Sequence, residues 1–400
     1  MIRAHKILII TVLSALVLVG LGFAYFLTQG RDRATEETAS SNSTTGAEPG
    51  SIPDDTMLRL VATGDMIAHD SILANAQIAD GYDFYSLMSE MNPYFEQADI
   101  RFCNEATPAG GEQFGISGYP VFNAPLEWHD GMEQVGCNVI NLGTNHTNDK
   151  GQPLIDVMVE DWNNKEVLAT AGANRSQAER DDISYFEVKG VRFAFLSYST
   201  YTNDPASNSY GLVMYDSAVA QIEIAEAKSN ADFVIVSMRW GDEYSDSIST
   251  AQEEAAQDVV DAGADFVFGH GPHVLQPVKK MSASDGREAV VWYSLGNFLN
   301  TQIPVEALVS GFAVMDIDIS SKTIENVSFL PVYTHYDWTA DEATREDLLA
   351  RENVQMQVLD KSADLLARSQ LGTTVEAQTE RVREVLNQFT TVEILSSDQY

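Results

Sequence analysis

The sequence predicts an α/β protein on three observations. Its 400 residues suit one large domain with appendages. From Met57 onward, short apolar runs alternate with stretches of helical period, without internal repeat, as expected of a sheet connected by helices. Six of those runs also end in polar or glycine-bearing residues, which are the kind that collect at the carboxyl edge of an open α/β sheet and bind ligands there.

Taken in order, "MLRLVATGD" ends in Gly64-Asp65, and "ADIRFCNEATP" carries Asn104-Glu105. "CNVINLGTNHTNDKG" runs from Asn141 through Asn145-His146 to Asp149. "ADFVIVSMRWGDEY" ends in Arg239 to Tyr244, "ADFVFGHGPHV" in His270 and His273, and "EAVVWYSLGNF" in Gly296-Asn297. Between two of these runs, "TAQEEAAQDVVDAG" reads as a helix capped at Thr250 and stopped at Gly263.

The flanks differ from this core. Residues 1–28 open with Arg3 and Lys6, followed by an uncharged apolar run from Ile7 to Leu27, long enough to cross a bilayer as a helix. The expectation is an uncleaved single-pass anchor with the bulk of the chain extracytoplasmic; a cleaved signal peptide is the alternative. Residues 29–56 are polar and rich in Ser and Thr, and read as a flexible tether. Residues 57–336 form the main domain. Residues 337–400 read as a helical extension, with Leu348, Leu349, Val354, Val358, Leu365 and Leu366 as an interrupted apolar stripe that packs on the main domain or on a partner. For Cys103 and Cys137 two states stay open, one disulfide or two buried thiols.

A net charge of -35 argues against nucleic acid and anionic lipid surfaces as partners. An anionic ligand remains compatible, because a bound cation reverses the field locally. The strand endings provide such a possibility. Carboxylate, amide and imidazole donors together suit manganese, iron or zinc, and the expected ligands are Asp65, Asn145, His270, His273 and Glu105. Two ions a few ångström apart would clamp a phosphoryl group and activate water, with His146 as general acid. Arg239 cannot ligate a metal; it either binds a carboxylate or phosphate or stands in for a metal cation. His69 lies four residues after Asp65 and either returns to the site or begins a helix.

The chain resembles the CapA family of poly-γ-glutamate capsule biosynthesis proteins, a branch of the calcineurin-like metallophosphoesterase superfamily. The stretches that carry the resemblance are "TGDMIAHDSI", "SGYPVFNAP", "NLGTNHTNDKG", "FAFLSYSTYTN", "RWGDEY", "GADFVFGHGPHVLQP" and "YSLGNF", in the family's order between about Leu58 and Val332. The resemblance implies a metallophosphoesterase-like β-sandwich flanked by helices. In it Asp65 corresponds to the first aspartate ligand, Asn145-His146 to the Asn-His pair and His273 to the last histidine. Catalytic roles fall to Asp65, His146 and Arg239, and substrate contacts to Arg239, Asn123 and Asn297. Three positions depart from the pattern. Arg239-Trp240-Gly241 stands for His-Trp-Gly, Gly271-Pro272-His273 stands for His-Pro-His, and "NEATP" places Glu105 one residue early with Ala106 at the usual acidic position.

The implied role is in capsule or exopolymer biosynthesis, as a metal-dependent hydrolase or transferase. Its partners would be an anionic polymer such as poly-γ-glutamate or a phosphorylated envelope component, the membrane, and other capsule-synthesis proteins. The alternatives are a non-catalytic polymer-binding or assembly component with a degenerate metal site, and a cell-surface phosphodiesterase.

Overall fold

The computed structural model describes residues 56–205 and 208–400. The anchor and nearly all of the tether lie outside the described residues. Among the described residues no helix is long and apolar enough to cross a membrane.

The main strands are β1 (Met57–Met66), β2 (Ile100–Glu105), β3 (Val139–Asn141), β4 (Ala169–Ala171), β5 (Ser184–Val188), β6 (Val191–Ser199), β7 (Phe233–Arg239) and β8 (Phe266–His270). They continue with β9 (Val278–Ser282), β10 (Glu288–Trp292), β11 (Asn297–Leu299), β12 (Val309–Asp318), β13 (Thr323–Asp337), β14 (Glu352–Val358) and β15 (Glu393–Ile394). One sheet runs β14-β13-β12-β1-β2-β3-β4, with β11 added to β1 and β15 to β13. The second runs β9-β10-β8-β7-β6-β5. All six apolar runs singled out in the sequence are strands.

Both sheets have parallel centres, so each delivers its strand ends to one edge. In the first, Asp65 pairs in register with Asn104, and Asn104 with Asn141. In the second, Ser199 pairs with Arg239, and Arg239 with His270. The sheets pack through aromatic side chains. The Phe102 ring of β2 lies 5.7 Å from Phe195 and 4.8 Å from Phe268, and Trp292 lies 5.8 Å from Phe329. These fully buried rings contribute large apolar areas to one continuous core.

Helices cover the sheets. Thr250–Ala262 packs on the second sheet through Ala255, Ala256, Val259 and Val260. Its cap is Ser249, one residue earlier than expected, in a reciprocal capping box with Gln252; Gly263 ends it as expected.

One expectation changes, and one open alternative is decided. The C-terminal segment is not a purely helical extension: β14 pairs antiparallel with β13, and β15 pairs parallel with it. "NVQMQV" alternates, burying Val354, Met356 and Val358, a two-residue period inside what looked like a helical stripe. Helix remains at Ala363–Arg368 and Val375–Leu386. The cysteines are not free thiols, since Cys103 and Cys137 form a disulfide with their Cα atoms 5.8 Å apart.

Candidate functional site

The carboxyl ends of both sheets open into one solvent-connected cavity of about 620 Å³, lined by Asp65, His69, Asn145, His146, Arg239, His273 and Arg351 among others. Backbone proximity sets its floor. Asp65 N–H donates to Gly296 O at 2.8 Å, and a Cβ on Gly64 would lie 2.1 Å from the same oxygen. Only glycine permits β1 to approach the "YSLGNF" loop this closely.

Asp65 is buried at the centre of the floor. Its Oδ1 accepts from Asn104 Nδ2 at 2.6 Å, and its Oδ2 lies 2.8 Å from His273 Nδ1. Burial pushes this carboxyl upward in pKa, but the adjacent His270 and His273 outweigh it and hold the group well below the usual carboxylate range. A buried relay continues behind it: Asn141 Nδ2 donates to Asn104 Oδ1 at 2.6 Å, and Ser197 Oγ donates to Asn141 Oδ1.

His273 sits in the left-handed region at φ 63°, a conformation uncommon for a residue with a side chain. Asn297 Oδ1 lies 2.9 Å from His273 Nδ1, while Asn297 Nδ2 donates to Gln302. Asn297 therefore positions the imidazole, and its amide is engaged on both sides.

His146 follows β3 in the "NLGTNHTNDKG" loop. Its Nδ1 donates to Asp149 Oδ2 at 2.8 Å, and the edge of Phe122 packs against the ring at 4.7 Å. An aspartate on one ring nitrogen fixes the tautomer, and Asn203 Nδ2 lies 3.2 Å from the other nitrogen, Nε2. His69 does both things considered for it: it lines the cavity and stands as the N-cap residue of the helix Asp70–Ala76. Burial pushes its imidazole well below the ordinary value, and the neighbouring Arg351, His273 and His146 add to that shift.

Arg239 is buried and, among the described residues, is held by neutral groups only. Its Nε donates to Asn145 Oδ1 at 2.8 Å, its Nη2 to Tyr201 Oη, and its guanidinium lies 4.3 Å from the Tyr201 ring centroid. The amide oxygen expected to face a metal is thus taken by a fixed cation.

Two expected contributors point elsewhere. Glu105 is fully engaged behind the floor, with Oε1 3.0 Å from His129 Nε2 and Oε2 accepting from Trp162 Nε1 at 2.7 Å. Asn123 is buried in its own loop, accepting from Gly110 N–H and donating to Gly111 O and Gly115 O.

The donors do not fit a two-ion centre. Arg239 occupies Asn145, Glu105 faces His129, and Ala106 and Gly271 offer no donor where the resemblance leads one to expect a carboxylate and an imidazole. Among the described residues no group of three or more His, Cys, Asp or Glu is placed to hold a metal ion. One feature remains open to a single ion. His270 is fully buried 3.5 Å from Asp65 and stacked on Phe102, and among the described residues neither of its ring nitrogens has a hydrogen-bond partner.

Three participants were not legible as such in the sequence. Asn104 is visible as a strand ending, but its bond to Asp65 required strand register. Tyr201 lies within the motif stretch "FAFLSYSTYTN", but its contact with Arg239 required the fold, and Arg351 arrives from the C-terminal segment.

These strand-end motifs belong to a family concerned with capsule synthesis: the profile described as "Bacterial capsule synthesis protein PGA_cap" matches residues 59–302, and the chain is a member of that family. Among characterised relatives it is similar to the PGA biosynthesis protein CapA of Bacillus subtilis (strain 168), 33% identical over 175 residues, covering 43% of this chain and 44% of that protein. It is also similar to the capsule biosynthesis protein CapA of Bacillus anthracis, 34% identical over 181 residues, covering 43% of this chain and 42% of that one. The match thus spans less than half of either relative. A crystal structure of a hypothetical protein from Thermus thermophilus aligns with TM-score 0.44 and 13% identity, over 68% of this chain and 98% of that one.

Proposed function

We propose that this protein acts in the biosynthesis of an anionic capsule polymer, poly-γ-glutamate, and that its cavity binds polymer carboxylates through Arg239. The observation that carries this reading is the buried guanidinium at the cavity floor, oriented by Asn145 and Tyr201 and neutralised by neither. An arginine held this way is prearranged for a planar carboxylate. The names of the relatives support the polymer assignment.

An extracytoplasmic location, with residues 1–28 as the anchor, belongs to the same proposal. The Cys103–Cys137 disulfide supports it, because such bonds persist in oxidising compartments. Calorimetric titration of the full chain with γ-linked glutamate oligomers tests the binding. Arg239→Met is expected to weaken it by roughly 10- to 100-fold, and unchanged affinity would reject the reading.

A second reading rests on His270. A single divalent ion (manganese, iron or zinc) would find two protein donors, Asp65 and His270, with the rest of its shell left to a ligand or water, and would supply Lewis-acid chemistry for a hydrolase or transferase on a metallophosphoesterase-like fold. His146, oriented by Asp149, would hold the proton for a leaving group. The unpartnered nitrogens of His270 favour this reading over a fully inert site.

A further inference from the structure

Two buried guanidinium groups face the cavity, and among the described residues neither has a carboxylate partner. Arg239 is 2% exposed and Arg351 6%. Both line the cavity, and among the described residues neither has an Asp or Glu oxygen within 4.0 Å. Asp70 acts on Arg351 only through space. The chain carries 59 acidic side chains against 24 Lys and Arg, so partners are abundant elsewhere on the molecule. Leaving two buried cations without an anion is costly unless a ligand supplies one.

Arg351 is positioned by groups that fix it without neutralising it. Its Nε donates to Leu348 O at 2.7 Å and its Nη1 to Thr301 O, while the guanidinium lies 5.6 Å from the Tyr336 ring centroid and 6.0 Å from that of Trp338. The residue lies beyond the 59–302 stretch that defines the family. The same segment brings Leu348 and Leu349 to the cavity, 45% and 62% exposed.

We propose that Arg351 is a second anion-binding group supplied by the C-terminal segment, so that the cavity selects ligands presenting two anionic groups at once. Their aliphatic stems lie along Leu348 and Leu349. The inference rests on the carboxylate-binding reading of Arg239 and adds a specificity determinant to it. A γ-linked glutamate chain has this chemistry, with a carboxylate on each residue and methylenes between. A pyrophosphate shares the paired charge but lacks the stem.

The test compares three probes on the full chain by calorimetry: a γ-linked glutamate tetramer, N-acetylglutamine with its single carboxylate, and inorganic pyrophosphate. Arg351→Met is expected to weaken the tetramer roughly 10- to 100-fold while leaving N-acetylglutamine within about twofold. Arg351→Lys should retain part of the tetramer preference. Leu349→Asp, at an exposed position that does not endanger folding, should weaken the tetramer selectively. Tetramer binding that responds to Arg239→Met but not to Arg351→Met or Leu349→Asp overturns this inference and leaves the carboxylate reading standing. Pyrophosphate binding that depends on Arg351, without tetramer binding, keeps the paired-cation site and overturns the polymer reading. Binding of none of the probes overturns both.

Discussion

The guanidinium of Arg239 occupies the space above Gly271: a Cβ on Gly271 would lie 2.0 Å from Arg239 Nη1 and 2.3 Å from Cζ. The two departures from the family's histidine pattern are therefore one structural event. An arginine at position 239 requires the absence of a side chain at 271, and the pair places one permanent cation where the family resemblance leads one to expect two imidazoles.

Gly271→Ala should accordingly destabilise the protein by about 2–3 kcal/mol, from overpacking and from a φ of 108° that side chains rarely adopt. In an Arg239→Ala background the steric part should vanish, giving a coupling of about 1 kcal/mol or more in a double-mutant cycle measured by urea unfolding. Strict additivity would show that the two positions are independent.

At most one divalent ion should bind per chain after supplementation with manganese, iron or zinc, read by elemental analysis of the purified full chain. Asp65→Ala should reduce that to none. Two ions per chain would contradict the geometry at Asn145 and Gly271.

The buried cluster behind the floor predicts a pH dependence. Both ring nitrogens of His129 face carboxylates, Asp161 at 2.7 Å and Glu105 at 3.0 Å. Burial lowers the imidazole pKa, but those two carboxylates together outweigh it and raise it from 6.5 to about 9. A raised folded-state value stabilises fully below the unfolded pKa of 6.5, and that stability is lost as pH rises through about 9. Unfolding free energies measured from pH 6 to 10 should decline across this window, and His129→Gln should flatten the slope. Glu105→Ala should cost about 3–5 kcal/mol, because it strands part of a buried charge arrangement.

Removing the disulfide should also be costly. Cys103 and Cys137 are 34 residues apart, a loop whose closure corresponds to about 3–4 kcal/mol of stabilisation. Reduction, or the paired replacement of both cysteines by alanine, is expected to lower the unfolding midpoint in urea and to steepen the slope, because the released loop exposes more surface in the unfolded chain.

Much of this molecule was legible in its residues. The six apolar runs and their polar ends determine parallel strands whose polar ends gather at an edge, because strand period and glycine punctuation are local properties. Family motifs located Asp65, Asn145, His146 and His273 for the same reason. What those side chains face is not local. The engagement of Glu105 by His129 and Trp162, the enclosure of Asn123 in its own loop, and the contact of Arg239 with Gly271 depend on register and packing between segments tens of residues apart. The C-terminal segment shows the limit most clearly. Its apolar stripe was visible, but β13 decided that part of it would be a strand, since an unpaired edge can recruit a period-two segment that composition alone leaves ambiguous. That pairing also anchors the segment carrying Arg351, a residue whose place in the cavity only the tertiary structure could assign.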